Sequence, residues 1–215
     1  MGRADARSEL LRSYEQVADE YVRRIYDELR HKPFDRELLD RFAGVLRGGG
    51  PVCDMGCGPG HVARYLSERG VQVLGVDLSP AMLERARRLN PGIDFQQGDM
   101  TALGVADAVW AGIAAFYSIV HLAPEEVLSA LRELRRALRP GGLLLLAFHV
   151  GSGVIHLDEW WGHAVSVDFR FFSADQIAEY LTTAGFEVQD VQLREPYPEV
   201  EYPSRRAYIL ASAPA

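Results

Sequence analysis

Asp54-Met55-Gly56-Cys57-Gly58-Pro59-Gly60 is the stretch of this chain best equipped to hold a ligand. Three glycines alternate with other residues directly after a carboxylate. They permit positive φ and leave no Cβ to obstruct a group lying against the backbone. A helix opens at Pro59-Gly60-His61, so the turn is expected to present free amide N–H groups at a helix N-terminus. Asp54 can hold those amides or accept from a ligand. The spacing G-x-G-x-G is shorter than the G-x-G-x-x-G that wraps a pyrophosphate. It therefore points to a nucleoside without a diphosphate linker. Asp77 ends the next apolar run, residues 71–76, where a doubly wound sheet presents a carboxylate to ribose hydroxyls. For proton transfer the candidate is His121, just beyond a fourth apolar run, because imidazole titrates near neutral pH. His149, at the end of the fifth run, is its competitor.

These residues need a frame. Leu10, Tyr14, Val17, Tyr21, Ile25 and Leu29 recur at three- and four-residue steps and predict a helix over about 8–30, with Tyr14 and Tyr21 on one face. A second helix from about Asp35 buries Leu38, Leu39, Phe42 and Leu46 and stops at Gly48-Gly49-Gly50. Strand and helix signals then alternate. Helices are expected over 61–69, from Ser79 as N-cap with Pro80 at N1, from Pro124, and from the capping box Ser173-Ala174-Asp175-Gln176. Strands are expected at 52–53, 71–76, 93–98, 107–112, 143–148, 186–191 and 206–211. This alternation predicts one α/β domain with a doubly wound sheet. Strand order should reverse at the fourth strand, so residues 113–122, with Phe116 and Tyr117, should line the crevice. Residues 149–172 are the least regular and carry His149, Trp160 and Trp161; they predict a lid over that crevice.

Net charge is −7, from 23 basic and 30 acidic residues. Without a basic block, neither a nucleic acid nor a membrane surface is expected as partner. Arginines gather at Arg85, Arg87 and Arg88, and at Arg132, Arg135, Arg136 and Arg139, where interleaving with Glu and apolar residues reads as a solvated helix face. Cys53 and Cys57 form neither a zinc pattern nor a plausible disulfide. The histidines and carboxylates of the lid fit no ligand spacing, so no metal is expected. With no apolar leader in Met1-Gly2-Arg3-Ala4-Asp5-Ala6-Arg7, a cytoplasmic location is expected. The oligomeric state stays open.

Asp54-x-Gly56-x-Gly58-x-Gly60 resembles the first motif of the class I S-adenosylmethionine-dependent methyltransferases. Asp77-Leu78-Ser79-Pro80-x-Met82-Leu83 is similar to their second, and Leu138-Arg139-Pro140-Gly141-Gly142 to a further signature turn. The resemblance covers nearly the whole chain. It implies a Rossmann-like seven-stranded sheet, mostly parallel with an antiparallel last strand. It divides residues 1–215 into a helical cap (1–47), a cofactor-binding half (51–148), the lid (149–172) and a C-terminal helix and hairpin (173–215). S-adenosyl-L-methionine is the implied cofactor. Gly98-Asp99-Met100 resembles the adenine corner, with Asp99 accepting from the exocyclic amine, Met100 donating its N–H, and Leu78 against the ring. Asp99 serving only as a cap for Thr101 remains the alternative. Asp54, Gly56, Cys57, Gly58, Asp77, Met82 and Phe116 complete the implied cofactor shell, with Tyr14 and Tyr21 reaching it from the cap. Aromatic faces at Tyr14, Tyr21 or Tyr117 would stabilise a sulfonium. Tyr117, His149, Trp160 and Trp161 are the candidates for holding the acceptor. No Asn- or Asp-Pro-Pro-Tyr motif follows the fourth strand, which favours a small molecule as acceptor. A non-catalytic cofactor-binding module and a nicotinamide oxidoreductase are the rival readings; the short glycine turn speaks against the second.

Overall fold

The computed structural model describes residues 3–215, so residues 1 and 2 of the expected cap lie outside the described residues. A long helix, α1 (Arg3–Ile25), leads through a 3-10 turn (Glu28–His31) into α2 (Pro33–Leu46). Then follow β1 (Val52–Met55), α3 (His61–Ser67), β2 (Val73–Asp77), α4 (Pro80–Leu89), β3 (Asp94–Gln97) and β4 (Trp110–Phe116). A short 3-10 turn (Ile119–His121), α5 (Pro124–Ala137) and β5 (Leu138–Val150) come next. The lid strands β6 (Val154–Trp160) and β7 (His163–Arg170) precede α6 (Ala174–Thr183), β8 (Glu187–Arg194) and β9 (Arg205–Ser212).

Seven strands form one sheet in the order β3-β2-β1-β4-β5-β9-β8. The first five are parallel, and β9 runs antiparallel to both β5 and β8. Order reverses between β1 and β4, which puts a crevice at their C-terminal ends. Helices cover both faces because successive strand residues point to opposite sides. Ile113 and Ala115 pack with Leu131, Leu134, Ile177 and Leu181 of α5 and α6, whereas Ala114 and Phe116 pack with Leu39, Phe42 and Leu66 of α2 and α3. Ser79 accepts from the Met82 N–H at 3.3 Å and Ser173 from the Gln176 N–H at 3.1 Å, so both serines cap their helices, while the Gln176 side chain donates to Tyr180 Oη at 3.1 Å instead of completing the expected capping box.

Three expectations need correction. The fourth strand runs Trp110–Phe116, several residues later than expected, because its run is buried throughout and carries neither alternation nor a breaker to mark its ends. Of the 149–172 segment, His149 and Val150 end β5, and residues 154–170 form a β-hairpin, β6 with β7, separate from the main sheet. A register shift between Leu157 and Glu159 disrupts its period of two, which hid it in the sequence. The arginines are staples as well as surface: Arg136 donates to Asp107 at 2.7 Å and to the Val105 carbonyl at 2.8 Å, and Arg85 to Asp19 at 3.1 Å.

Candidate functional site: a glycine corner facing an aromatic cavity

The corner between β1 and α3 is built tightly. Gly56 has φ +71, and a Cβ there would lie 2.4 Å from Ser118 Cβ, so the close approach of the β4 loop requires glycine. The turn amides are already engaged. Gly56 and Cys57 N–H donate to the Val76 carbonyl at 2.7 and 3.1 Å, and Gly60 N–H to the Cys57 carbonyl at 2.9 Å. Gly58 N–H donates to Asp77 Oδ2 at 2.8 Å. The expected presentation of free glycine amides is therefore corrected: β2 takes up those of Gly56 and Gly58, and the turn's own Cys57 carbonyl takes that of Gly60.

The three candidate carboxylates have different partners. Asp77 also accepts from the Ser79 N–H, through Oδ1 at 2.8 Å. Burial pushes its pKa up, and the opposing contributions are all backbone amides. Asp54 is 2% exposed and caps α3 by accepting the Ala63 N–H at 2.8 Å. Burial pushes it up to about 7. Asp99 caps its own turn, accepting from the Thr101 N–H at 2.9 Å and Oγ1 at 2.7 Å, and pairs with Arg7 of α1. Burial opposes its ionisation, but Thr101 and Arg7 outweigh burial and hold the carboxyl below its ordinary range.

Other candidates sort by where their side chains go. Cys57 packs with Ala63, Leu83, Ala86 and Phe95 in a core cluster, Met82 is fully buried, and Phe116 lies in the core beside Tyr208. Those three side chains turn away from the crevice, and only their backbone is left to meet a ligand. Leu78 and Met100 stay partly exposed beside Asp77 and Asp99.

Beside the corner lies a cavity of about 750 Å³, within the range of sites for drug-sized ligands. Tyr14, Tyr21, Tyr117, His149, Trp160 and Trp161 all line it. One end is aromatic. Trp160 stands edge-on to Tyr14, Tyr21 and Phe169, with centroids 5.7, 5.8 and 5.1 Å away. The other end is ionic. Lys32 pairs with Glu28 at 2.8 Å and Glu201 at 3.5 Å, and Arg206 with Glu201 at 3.5 Å. Burial opposes ionisation of Glu28, yet Lys32 and His61 hold it down at about 2. This ionic end escaped sequence reading. Its members come from a 3-10 turn, a proline-bearing linker and β9, and no local period joins them. Tyr117, at the end of β4, has φ +52 and directs its ring under Lys32 Nζ, 5.1 Å from the centroid.

His121 sits behind Tyr14. Its Nδ1 is 2.8 Å from the Asp168 carbonyl, which can only accept, so Nδ1 carries the proton. Nε2 is then the acceptor for the Tyr14 O–H at 2.7 Å. Burial pushes His121 down to about 4, so the ring is neutral near pH 7. Burial also pushes Tyr14 well above the ordinary phenol range. His149 reaches the cavity directly, with Nδ1 bonded to Ser204 Oγ at 2.8 Å; burial and then Arg206 push it down to about 4.

These residues fit an adenosine joined to an amino acid. A half-buried carboxylate met only by amides, as at Asp77, has spare acceptor capacity for hydroxyls. Asp54, poised near 7, is a carboxyl that a nearby ammonium would ionise. Among the described residues no group of side chains could hold a metal ion, and no helix is long and apolar enough to cross a membrane.

Residues 52–142 match the model of a methyltransferase domain. The chain is 32% identical over 138 residues to a malonyl-[acyl-carrier protein] O-methyltransferase of Enterobacter lignolyticus, covering 61% of this chain and 53% of that protein. It is 29% identical over 213 residues to a 27-O-demethylrifamycin SV methyltransferase of Amycolatopsis mediterranei, covering 80% and 78%. The chain thus spans about half the length of the first relative and over three quarters of the second. A solved structure from Methanosarcina mazei, described as an S-adenosylmethionine-dependent methyltransferase, shares the fold with TM-score 0.70 at 17% identity, covering 76% of this chain and 92% of that one.

Proposed function

Because this chain belongs to the class I S-adenosylmethionine-dependent methyltransferases, we propose that it transfers a methyl group from that cofactor to an O, N, S or C nucleophile of a small molecule. One juxtaposition carries the reading. Tyr21, which lines the cavity, lies 3.7 Å from where a Cβ of Gly58 would stand, so a single ring borders both the chamber and the glycine corner.

S-adenosylmethionine, when bound, supplies the electrophile, a methyl on a positively charged sulfur. The chain's work is to orient the partners and exclude water. In this reading Asp77 receives the ribose hydroxyls and Asp54 stands beside the amino-acid end. Asp99 receives the adenine amine while keeping its Thr101 cap. Leu78 and Met100 flank the ring, and Tyr14 and Tyr21 turn aromatic faces toward the cationic sulfur. His121 acts through Tyr14: the imidazole lone pair fixes the phenol proton, leaving the phenolic oxygen free to accept a proton-bearing group of the acceptor. Trp160, Trp161, Tyr117 and His149 hold that acceptor. The two buried, unpaired cysteines support a reducing, cytoplasmic location, which cell fractionation checks.

The test has two arms. Calorimetry with S-adenosylhomocysteine should give binding that Asp77→Ala abolishes. Turnover is then followed across a panel of small hydroxy, amino, thiol and carboxylic acceptors, with malonyl-acyl-carrier protein included because one relative is named for it. Binding without turnover of any acceptor would favour a non-catalytic cofactor-binding module. No binding of S-adenosylhomocysteine, with NAD bound in its place, would overturn the reading altogether. If His121→Ala leaves kcat within a few-fold across pH, His121 has no catalytic role.

A further inference from the structure

Among the described residues, four other than glycine have positive φ: Ala108, Tyr117, Trp161 and Glu199. Three of these line the acceptor cavity, although they come from the end of β4, the lid hairpin and the β8–β9 linker. Left-handed backbone is unfavourable for side chains with a Cβ, most of all bulky ones, and persists only where the surroundings enforce it.

Trp161 is the sharpest case. Trp160 pairs with His163, so the hairpin turns through two residues, Trp161 at φ 54 and Gly162 at φ 82. A turn with two positive φ values favours Asn-Gly, and tryptophan is a poor choice for its first position. The lid is attached at points besides the contacts of this indole with Tyr21 and Arg24 of α1. Ser166 N–H already donates to Ser13 Oγ at 3.0 Å, and Asp168 O accepts from His121 at 2.8 Å. The indole instead lies nearly along Trp160, 4.7 Å away at 32°, with the Arg24 guanidinium 5.1 Å over its ring.

We propose that Trp161 is the specificity-determining clamp of the acceptor cavity, held in an unfavourable backbone so that its indole closes over a flat unsaturated ring. A polar substituent on that ring points toward His149 and Tyr117 at the ionic end. The proposal rests on the methyltransferase reading for the word acceptor, but its binding test does not. Aromatic walls favour a planar partner through stacked and edge-on contacts, which a saturated ring of the same outline cannot reproduce. A turn strained by the residue that lines the chamber is the stability-for-function exchange expected of a binding group.

The probes are 2-naphthol and decahydro-2-naphthol, titrated by calorimetry with and without saturating S-adenosylhomocysteine. The wild type should bind the flat probe about tenfold more tightly than the saturated one. Trp161→Ala and Trp161→Gly should both lose that preference while binding S-adenosylhomocysteine as the wild type does. Trp161→Gly should melt roughly 2–4 °C above Trp161→Ala, because only glycine relieves the left-handed backbone. The clamp is refuted if the wild type shows no preference, if Trp161→Ala keeps it, or if the glycine variant is no more stable than the alanine variant. Loss of S-adenosylhomocysteine binding in the wild type would instead refute the methyltransferase reading, since the probe titrations without it still decide the clamp.

Discussion

Replacing His121 by asparagine should make this protein less sensitive to acid. The folded chain keeps the ring neutral down to about pH 4, whereas an unfolded chain protonates it near its ordinary value of 6.5. The folded pKa is depressed, so the unfolded state binds the extra proton first, and stability falls as pH drops through that window. At about pH 5 the loss from this one ring, relative to about pH 7, is about 2 kcal/mol. For a chain of this size that corresponds to roughly 4–8 °C in Tm. His149, also held at about 4, adds a loss of the same sign. Asp54 works the other way: its carboxyl, raised to about 7, makes acidification from neutrality stabilising. Glu28 and Glu201, both held near 2, lose their contribution only below their ordinary range. All these groups are shared by wild type and variant, so the difference between the two pH shifts isolates His121. Circular dichroism melts of both proteins at about pH 7 and about pH 5 supply it. The wild type should lose roughly 4–8 °C more than His121→Asn. Equal losses would mean that the imidazole is protonated in the native protein, and the Tyr14–His121 geometry would lose its stated proton positions.

Asp77→Asn should weaken S-adenosylhomocysteine binding by about tenfold or more while the chain stays folded, because an amide keeps one acceptor oxygen for the Gly58 and Ser79 N–H groups that the carboxylate serves with two; calorimetry and a melt read the two effects separately. Gly56→Ala should cost about 2–4 kcal/mol, from the left-handed backbone together with a Cβ 2.4 Å from Ser118, and a urea titration measures it. Cofactor binding at about pH 6.5 should release protons, because an ammonium beside Asp54 lowers a carboxyl poised near 7. The apparent binding enthalpy should then change between phosphate and imidazole buffers, and an unchanged enthalpy would remove Asp54 from the amino-acid end.

The sheet was legible because its signals are local. Buried apolar runs, the Ser79 and Ser173 caps and the glycine corner each act within a few residues. Asp77 was legible too, since a carboxylate at the tip of β2 has a fixed place relative to the corner it faces. What escaped reading depends on contacts between distant segments. The use of the glycine amides depends on Val76 and Asp77, which approach only once β1 and β2 pair. Arg7 meets Asp99 across 92 residues, and Lys32 meets Glu201 only after the β8–β9 linker folds back. Cys57, Met82 and Phe116 sit in motif positions or beside the crevice, yet the alternation of directions along helix and strand turns their side chains inward. Spacing alone cannot tell a backbone at the crevice from a side chain in it.

Helix α1 is 23 residues long, about 34 Å from end to end. Near its start Arg7 grips Asp99, midway Tyr14 meets His121, and near its end Arg24 lies over Trp161. Its three contacts lie on three different parts of the fold, the Asp99 turn, the loop after β4 and the lid hairpin. One continuous helix thus reaches from the Asp99 turn, past the His121 pair, to the turn of the lid hairpin.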